Sequence, residues 1–119
     1  LLNEIRKALD ALGEHNVFFG AVPHQDAGFI WDYCVFARRN TRRAGASRMD
    51  FTEQYDVTVV REDYIPEGYE YQVASAVAAI PGLRLADSDI IWAYDIKPGT
   101  NTAVEICTIS FVRARKGAI

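Results

Sequence analysis

Phe51-Thr52-Glu53-Gln54-Tyr55-Asp56-Val57-Thr58-Val59-Val60-Arg61 is the stretch from which the fold can be read. Phe51, Tyr55, Val57 and Val59 fall on one side of an extended backbone, with Thr52, Gln54, Asp56 and Thr58 on the other. That period of two marks a strand with one buried face. Upstream, Trp31, Tyr33, Val35 and Ala37 alternate with Asp32, Cys34 and Phe36, which predicts a second strand. About a dozen polar, arginine-rich residues separate the two, so the pair predicts a hairpin with a long tip.

The rest of the chain is arranged around this hairpin. Leu2, Ile5, Leu9 and Leu12 share one stripe of a helix over Leu1–Leu12, and Gly13 supplies a left-handed stop. Val17–Ala21 is a short apolar run that predicts a strand. Pro66 and Glu67 suit the start of a second helix over Glu67–Ile80, with Tyr69, Val73, Val77 and Ile80 inward and Pro81-Gly82 ending it. Ile90, Trp92, Tyr94 and Ile96 alternate with Ala93, Asp95 and Lys97; the turn Pro98–Thr102 follows, then the β-branched run Ala103–Val112, a second hairpin. Arg113–Gly117 reads as a basic frayed end. The expected fold is α+β: a mainly antiparallel sheet of four or five strands, two helices on one face, and a long Arg-rich hairpin tip.

With 119 residues, the chain is expected to form a single domain over 1–119. Half of the residues are hydrophobic and 24 % are charged, which excludes a disordered tail. A net charge of -3 excludes a generic polyanion binder whose whole surface is basic, while leaving room for a local basic patch. The opening residues mix acids and bases without the basic start and apolar core of a secretory leader, and no apolar run reaches the ~20 residues of a membrane helix. Two distant cysteines, Cys34 and Cys107, are too few for a disulfide scaffold. The expectation is a soluble chain made in a cytoplasm, with no membrane contact.

No constellation of catalytic or metal-ligating residues stands out: there is no phosphate-cradling Gly-rich loop, HExxH pair, GxSxG elbow or EF-hand spacing. His15 and His24 read as solvated loop histidines, and Cys34 and Cys107 as buried structural thiols. Asp87 and Asp89 read as a polar turn entering a strand. No cofactor, metal or catalytic activity is expected. Trp31, Tyr33, Trp92 and Tyr94 read mostly as one core face, and of Tyr69 and Tyr71, two apart on a helix, one should be exposed.

Charge is distributed more unevenly. Arg38, Arg39, Arg42, Arg43 and Arg48 crowd the hairpin tip, whereas Asp50, Glu53, Asp56, Glu62, Asp63, Glu67 and Glu70 follow it, opposed only by Arg61. Arginine rather than lysine points to planar, bidentate partners such as carboxylates and phosphates. The candidate interface is the arginine tip of one copy on Glu62, Asp63, Glu67 and Glu70 of the next. The alternative is a small nucleic-acid-binding module that sets the same arginines on phosphates.

The segment Tyr55–Arg61, a short loop, the helix Glu67–Ile80, Pro81-Gly82-Leu83-Arg84 and a closing hairpin, preceded by a helix and a long-tipped hairpin, resembles the tail-terminator (tail-completion) proteins of long-tailed bacteriophages, which belong with the small neck and minor tail proteins. The resemblance covers nearly the whole chain and rests on length and element order. It implies a non-enzymatic virion protein with one sheet and two helices. Such a protein assembles as a ring, typically a hexamer, on the last ring of tail-tube protein. It stops tube growth and meets the head-side connector protein, with DNA only as passing cargo.

Overall fold

In chain order, the elements are helix α1 (Leu2–Ala11), strands β1 (Val17–Phe19), β2 (Asp32–Arg43) and β3 (Phe51–Glu62), helix α2 (Tyr69–Ala78), and strands β4 (Leu83–Leu85), β5 (Ile91–Ile96) and β6 (Ala103–Arg115). The structure is a computed structural model and describes residues 1–22, 31–45 and 50–116. The sheet runs β1-β2-β3-β6, and β4 and β5 share the outer edge of β6, β5 along its first half and β4 near its end.

The architecture is α+β as expected, with two corrections. The sheet has six strands rather than four or five, and it is mixed, because β1 pairs with β2 in parallel. The strand missing from the sequence reading is β4. Three residues are too few to show a period, and their pairing is dictated by β6, which Leu83 and Leu85 meet at Arg113 and Phe111.

Both helices lie on one face. Ile5 and Leu9 of α1 and Val73, Ala74 and Val77 of α2 close over Cys34 and Phe36 of β2, Tyr55, Val57 and Val59 of β3, and Cys107, Ile109 and Phe111 of β6 in a single core. Each large side chain buried there contributes about 2 kcal/mol. The opposite face carries a smaller cluster, Tyr33, Val60 and Val104, joined by Phe18, Val22, Trp31, Val35 and Ile106. Farther along that face the residues turn polar: the Thr58 and Thr108 hydroxyls share a hydrogen bond of 3.1 Å, and the Ser110 hydroxyl donates to Asp56 at 2.7 Å. Among the described residues no helix is long and apolar enough to cross a membrane.

The helix ends are set by backbone chemistry. After α1 the N–H of Gly13 donates to the Asp10 carbonyl and that of Glu14 to the Leu9 carbonyl, a Schellman closure that Gly13 permits at φ 94°. The second helix begins later than expected. Pro66 and Glu67 form a preceding turn, and Gly68, at φ 86°, swings the chain into α2 at Tyr69.

The largest departures lie at the strand ends. The arginine tip is not a dozen-residue loop: β2 continues to Arg43, paired with Phe51. On the other side of β3, Arg113 and Arg115 are not frayed but complete β6, opposite Glu53 and Phe51. This three-stranded extension runs past the helices and gives the protein extents of 52 × 24 × 24 Å. In contrast, Trp92 and Tyr94 do not join the core: all of β5 is exposed, with Tyr94 66 % accessible. Of the expected aromatic face, Tyr33 is buried in the smaller cluster, with Trp31 packed against it.

Candidate interaction surfaces

Arg38, Arg39, Arg42 and Arg43 are all exposed on β2, while Arg48 and His24 lie outside the described residues. Their arrangement follows from a bulge. Arg38 pairs with Tyr55 and Asn40 with Gln54, so Arg39 is an extra residue between rungs. The register places Arg38 and Arg43 on the helix side, with Tyr55 and Phe51, and Arg42 on the open side, with Thr52. Arg39 reaches Asp56 on the open side at 3.9 Å. Arg113, Arg115 and Lys116 of the β6 end lie alongside, and Arg84 of β4 pairs across to Val112. The basic feature is thus the end of a sheet, charged on both sides, and it draws on three strands rather than one loop.

On the helix side, a groove of about 610 Å³ is lined by Arg38, Thr41, Glu53, Gln54, Tyr55 and Arg113, with the start of α1 as its wall. Its acid is already engaged. Arg113 donates to Glu53 at 2.9 Å from Nε and lies 2.7 Å away through Nη2, and the Tyr55 hydroxyl donates to Glu53 at 3.0 Å. Burial alone would raise the Glu53 pKa; the Arg113 and Tyr55 hydrogen bonds outweigh it and hold the carboxyl below the usual glutamate value.

The proposed acceptors sit at the other end of β3, roughly 35 Å away at ~3.4 Å per residue. They are not equivalent. Asp63 and Glu67 are exposed. Asp63 adopts φ 64°, a left-handed conformation that aspartate tolerates, and its N–H donates to the Ala103 carbonyl at 2.7 Å. Glu62 is ion-paired with Lys97. Glu70 is half-buried, and its Oε1 is enclosed without a hydrogen-bond donor among the described residues. Its charge helps burial push the Cys107 thiol up to about 12, so that thiol stays protonated at neutral pH. Cys34, the other free cysteine, is also buried and shifted upward, chiefly by desolvation.

The sequence reading missed one cluster. The Schellman turn aims Glu14 inward, where it is buried against Arg61. The Arg61 guanidinium also meets Asp32 at 3.1 Å, donates to the Val60 carbonyl at 3.0 Å and to the Tyr33 carbonyl at 3.3 Å, and lies over the Tyr69 ring at 5.5 Å. The Tyr69 hydroxyl donates to Glu14 at 2.7 Å. Burial, reinforced by that hydrogen bond to a carboxylate, drives the Tyr69 pKa upward. Burial would lower the Arg61 pKa, but its carboxylate partners raise it. Glu14 Oε2 accepts from both Arg61 and Tyr69, and the cluster fastens the end of α1, the start of α2 and β3 together. The clue in the sequence was Arg61 itself, the lone cation in an acidic run. His15, beside the adjoining groove of about 370 Å³, is exposed. Asp87 and Asp89 are exposed as well, and no group of three or more metal-ligating side chains occurs among the described residues.

Compared with known proteins, the chain matches no family model and no curated sequence.

Proposed function

We propose that the chain is a structural subunit that works by assembly: a tail-terminator-like virion protein of a long-tailed phage. Copies form a ring, as a hexamer in this reading, that caps the tail tube and joins it to the head-side connector while DNA passes through. The observation that carries the reading is the polarity of the elongated domain. Exposed Arg38, Arg39, Arg42 and Arg43 occupy one end, and exposed Asp63 and Glu67, with Glu62 beside them, the other. A ring contact is heterologous, one patch meeting a different patch on the next copy, and opposite charge at opposite ends suits it. Such complementarity fixes orientation and register.

The test is charge reversal at Arg42→Glu with Arg43→Glu. Native mass measurement should show rings lost and folded monomer retained; an unchanged ring population would overturn the assigned contact. The contribution of Arg113, Arg115 and Lys116 to the same end favours a second reading, in which this end grips nucleic-acid phosphates. That reading requires binding that weakens steeply with salt, with a log–log slope of about -0.9 per phosphate contacted on duplex DNA. DNA binding that is absent or insensitive to salt removes it.

A further inference from the structure

The two faces of the arginine arm differ in what their cations have left to bind. On the helix side Arg113 is already engaged by Glu53. On the open side one rung runs Asn40, Gln54, Val112 and Arg84 across four strands, and the next rung outward on that face sets Arg42 beside Thr52. These side chains border a cleft of about 250 Å³, together with Asp87, which follows β4. Arg42 enters the lining from β2 and Arg84 from β4, strands about 14 Å apart at ~4.8 Å per neighbour. Among the described residues neither arginine has an ion pair, and the Asn40 and Gln54 amides and the Thr52 hydroxyl have no hydrogen-bond partner. The acid one rung farther in, Asp56, is taken: it accepts from the Ser110 hydroxyl at 2.7 Å and lies 3.9 Å from Arg39.

We propose that this cleft binds a phosphate monoester group, held between Arg42 and Arg84. The donor set selects the ligand. A carboxylate has two oxygens, and one guanidinium fork fills them. Here two forks border the cleft from opposite strands, with two side-chain amides and a hydroxyl between them. A terminal phosphate offers three free oxygens, enough for a fork on each side and neutral donors between, and brings up to two negative charges at neutral pH for the two cations. Size points the same way. A cleft of about 250 Å³ falls below the ~300–1,000 Å³ of pockets that enclose a whole drug-sized ligand, so it takes a head group and leaves the rest of the molecule outside. Asp87 lines the same cleft and pairs with neither arginine, so a polymer laying its next phosphate there would meet like charge. With a net charge of -3 on the chain, this favours a single phosphate over a nucleic-acid strand. The site goes beyond the ring reading, whose contact does not use Arg84.

The test is titration of the full chain with inorganic phosphate at neutral pH and fixed chloride, followed through the arginine Nε–H resonances. Those of Arg42 and Arg84 should move along one saturating curve, with the side-chain amides of Asn40 and Gln54, while Arg38 and Arg113 on the helix side stay still. Phenyl phosphate distinguishes the source: tighter binding than inorganic phosphate supports an ester as the ligand, and equal or weaker binding supports the free ion. Arg84→Ala, at an exposed position, should weaken binding by about tenfold, the loss expected for one charge-assisted fork. Arg84→Lys keeps the charge without the fork and should recover only part of that loss. The absence of a saturable shift with either probe overturns the proposal. So does equal movement of every exposed arginine, the mark of ionic screening, or an Arg84→Ala chain that binds as the parent does. A single-stranded oligonucleotide that binds more tightly than phenyl phosphate and weakens steeply with salt also overturns it, and returns the cleft to the nucleic-acid reading. Arg84→Ala leaves Arg42 and Arg43 in place, so its phosphate affinity is read apart from ring formation.

Discussion

Arg61 and Arg42 belong to adjacent strands of one hairpin, yet they have opposite surroundings. Arg61 is sunk between two helices, with Glu14, Asp32, two backbone carbonyls and a tyrosine ring around its guanidinium. Arg42 stands on the open side beyond the helices, opposite Thr52. The difference shows that arginine content alone does not mark a binding surface; what matters is whether the donors are already occupied. At the Arg61 end, electrostatics hold the fold together. At the arm end, the fold holds charge out into solvent.

The comparison can be broken most severely at Arg61. Arg61→Ala leaves Glu14 charged, buried and without its cation, which should cost about 3 kcal/mol or more, a large share of the stability of a domain this size. Urea unfolding of the variant measures it, and a loss below about 1 kcal/mol would show that Glu14 finds other solvation. Tyr69→Phe removes one hydroxyl from the same carboxylate and keeps the ring under Arg61; a loss of about 1.5 kcal/mol is expected. Arg42→Glu with Arg43→Glu should move the unfolding midpoint of the monomer hardly at all, within about 0.5 kcal/mol, since both side chains are exposed. A large destabilisation there would mean that the arm braces the fold after all.

The smallest effect concerns Glu53, where the two behaviours meet: an acid on the arm, partly buried and bonded to Arg113 and Tyr55. Its pKa is lower in the folded chain than in the unfolded one. Its contribution to stability is therefore complete above the usual glutamate value and is lost as pH falls through the folded value. Urea midpoints followed from neutral to acid pH should drop less steeply in Glu53→Gln than in the parent chain. Parallel acid limbs would show that the bonds to Glu53 add nothing.

Much of this fold could be read locally. The alternation through Tyr55, Val57 and Val59 predicted β3, and the stripe of Ile5 and Leu9 predicted α1, because in each the buried side is written in the apolar period itself. The arm could not be read that way. Residues 38–43 carry no apolar period, and their strand exists because β3 offers backbone partners, not because a face is buried. Conversely, Ile91–Ile96 has a strand's sequence in full, and the chemistry is the same whether a strand lies at a sheet's centre or along its rim; only the pairing of β6 with β3 on its other side leaves β5 outermost. The Glu14–Arg61–Tyr69 cluster joins residues up to 55 positions apart, so spacing within any local window could not show it. Of the surface residues singled out for contact, Arg38, Arg39, Arg42 and Arg43 are accessible, whereas Glu62 and Glu70 were legible as acids but not as acids already paired or half enclosed.

Arg39 occupies no rung of the β2–β3 ladder, and this has a mechanical consequence. The rungs on either side, Arg38 with Tyr55 and Asn40 with Gln54, are consecutive without it. It sits where Tyr55, the last residue of β3 beneath the helical roof, gives way to the bare extension. A bulge bends its strand and tightens the local twist, so this spare residue acts as an elbow. The bend is confined to β2, since β3 and β6 stay paired without a break past this point, and excising Arg39 should straighten β2 while leaving every distal side chain on its own flank.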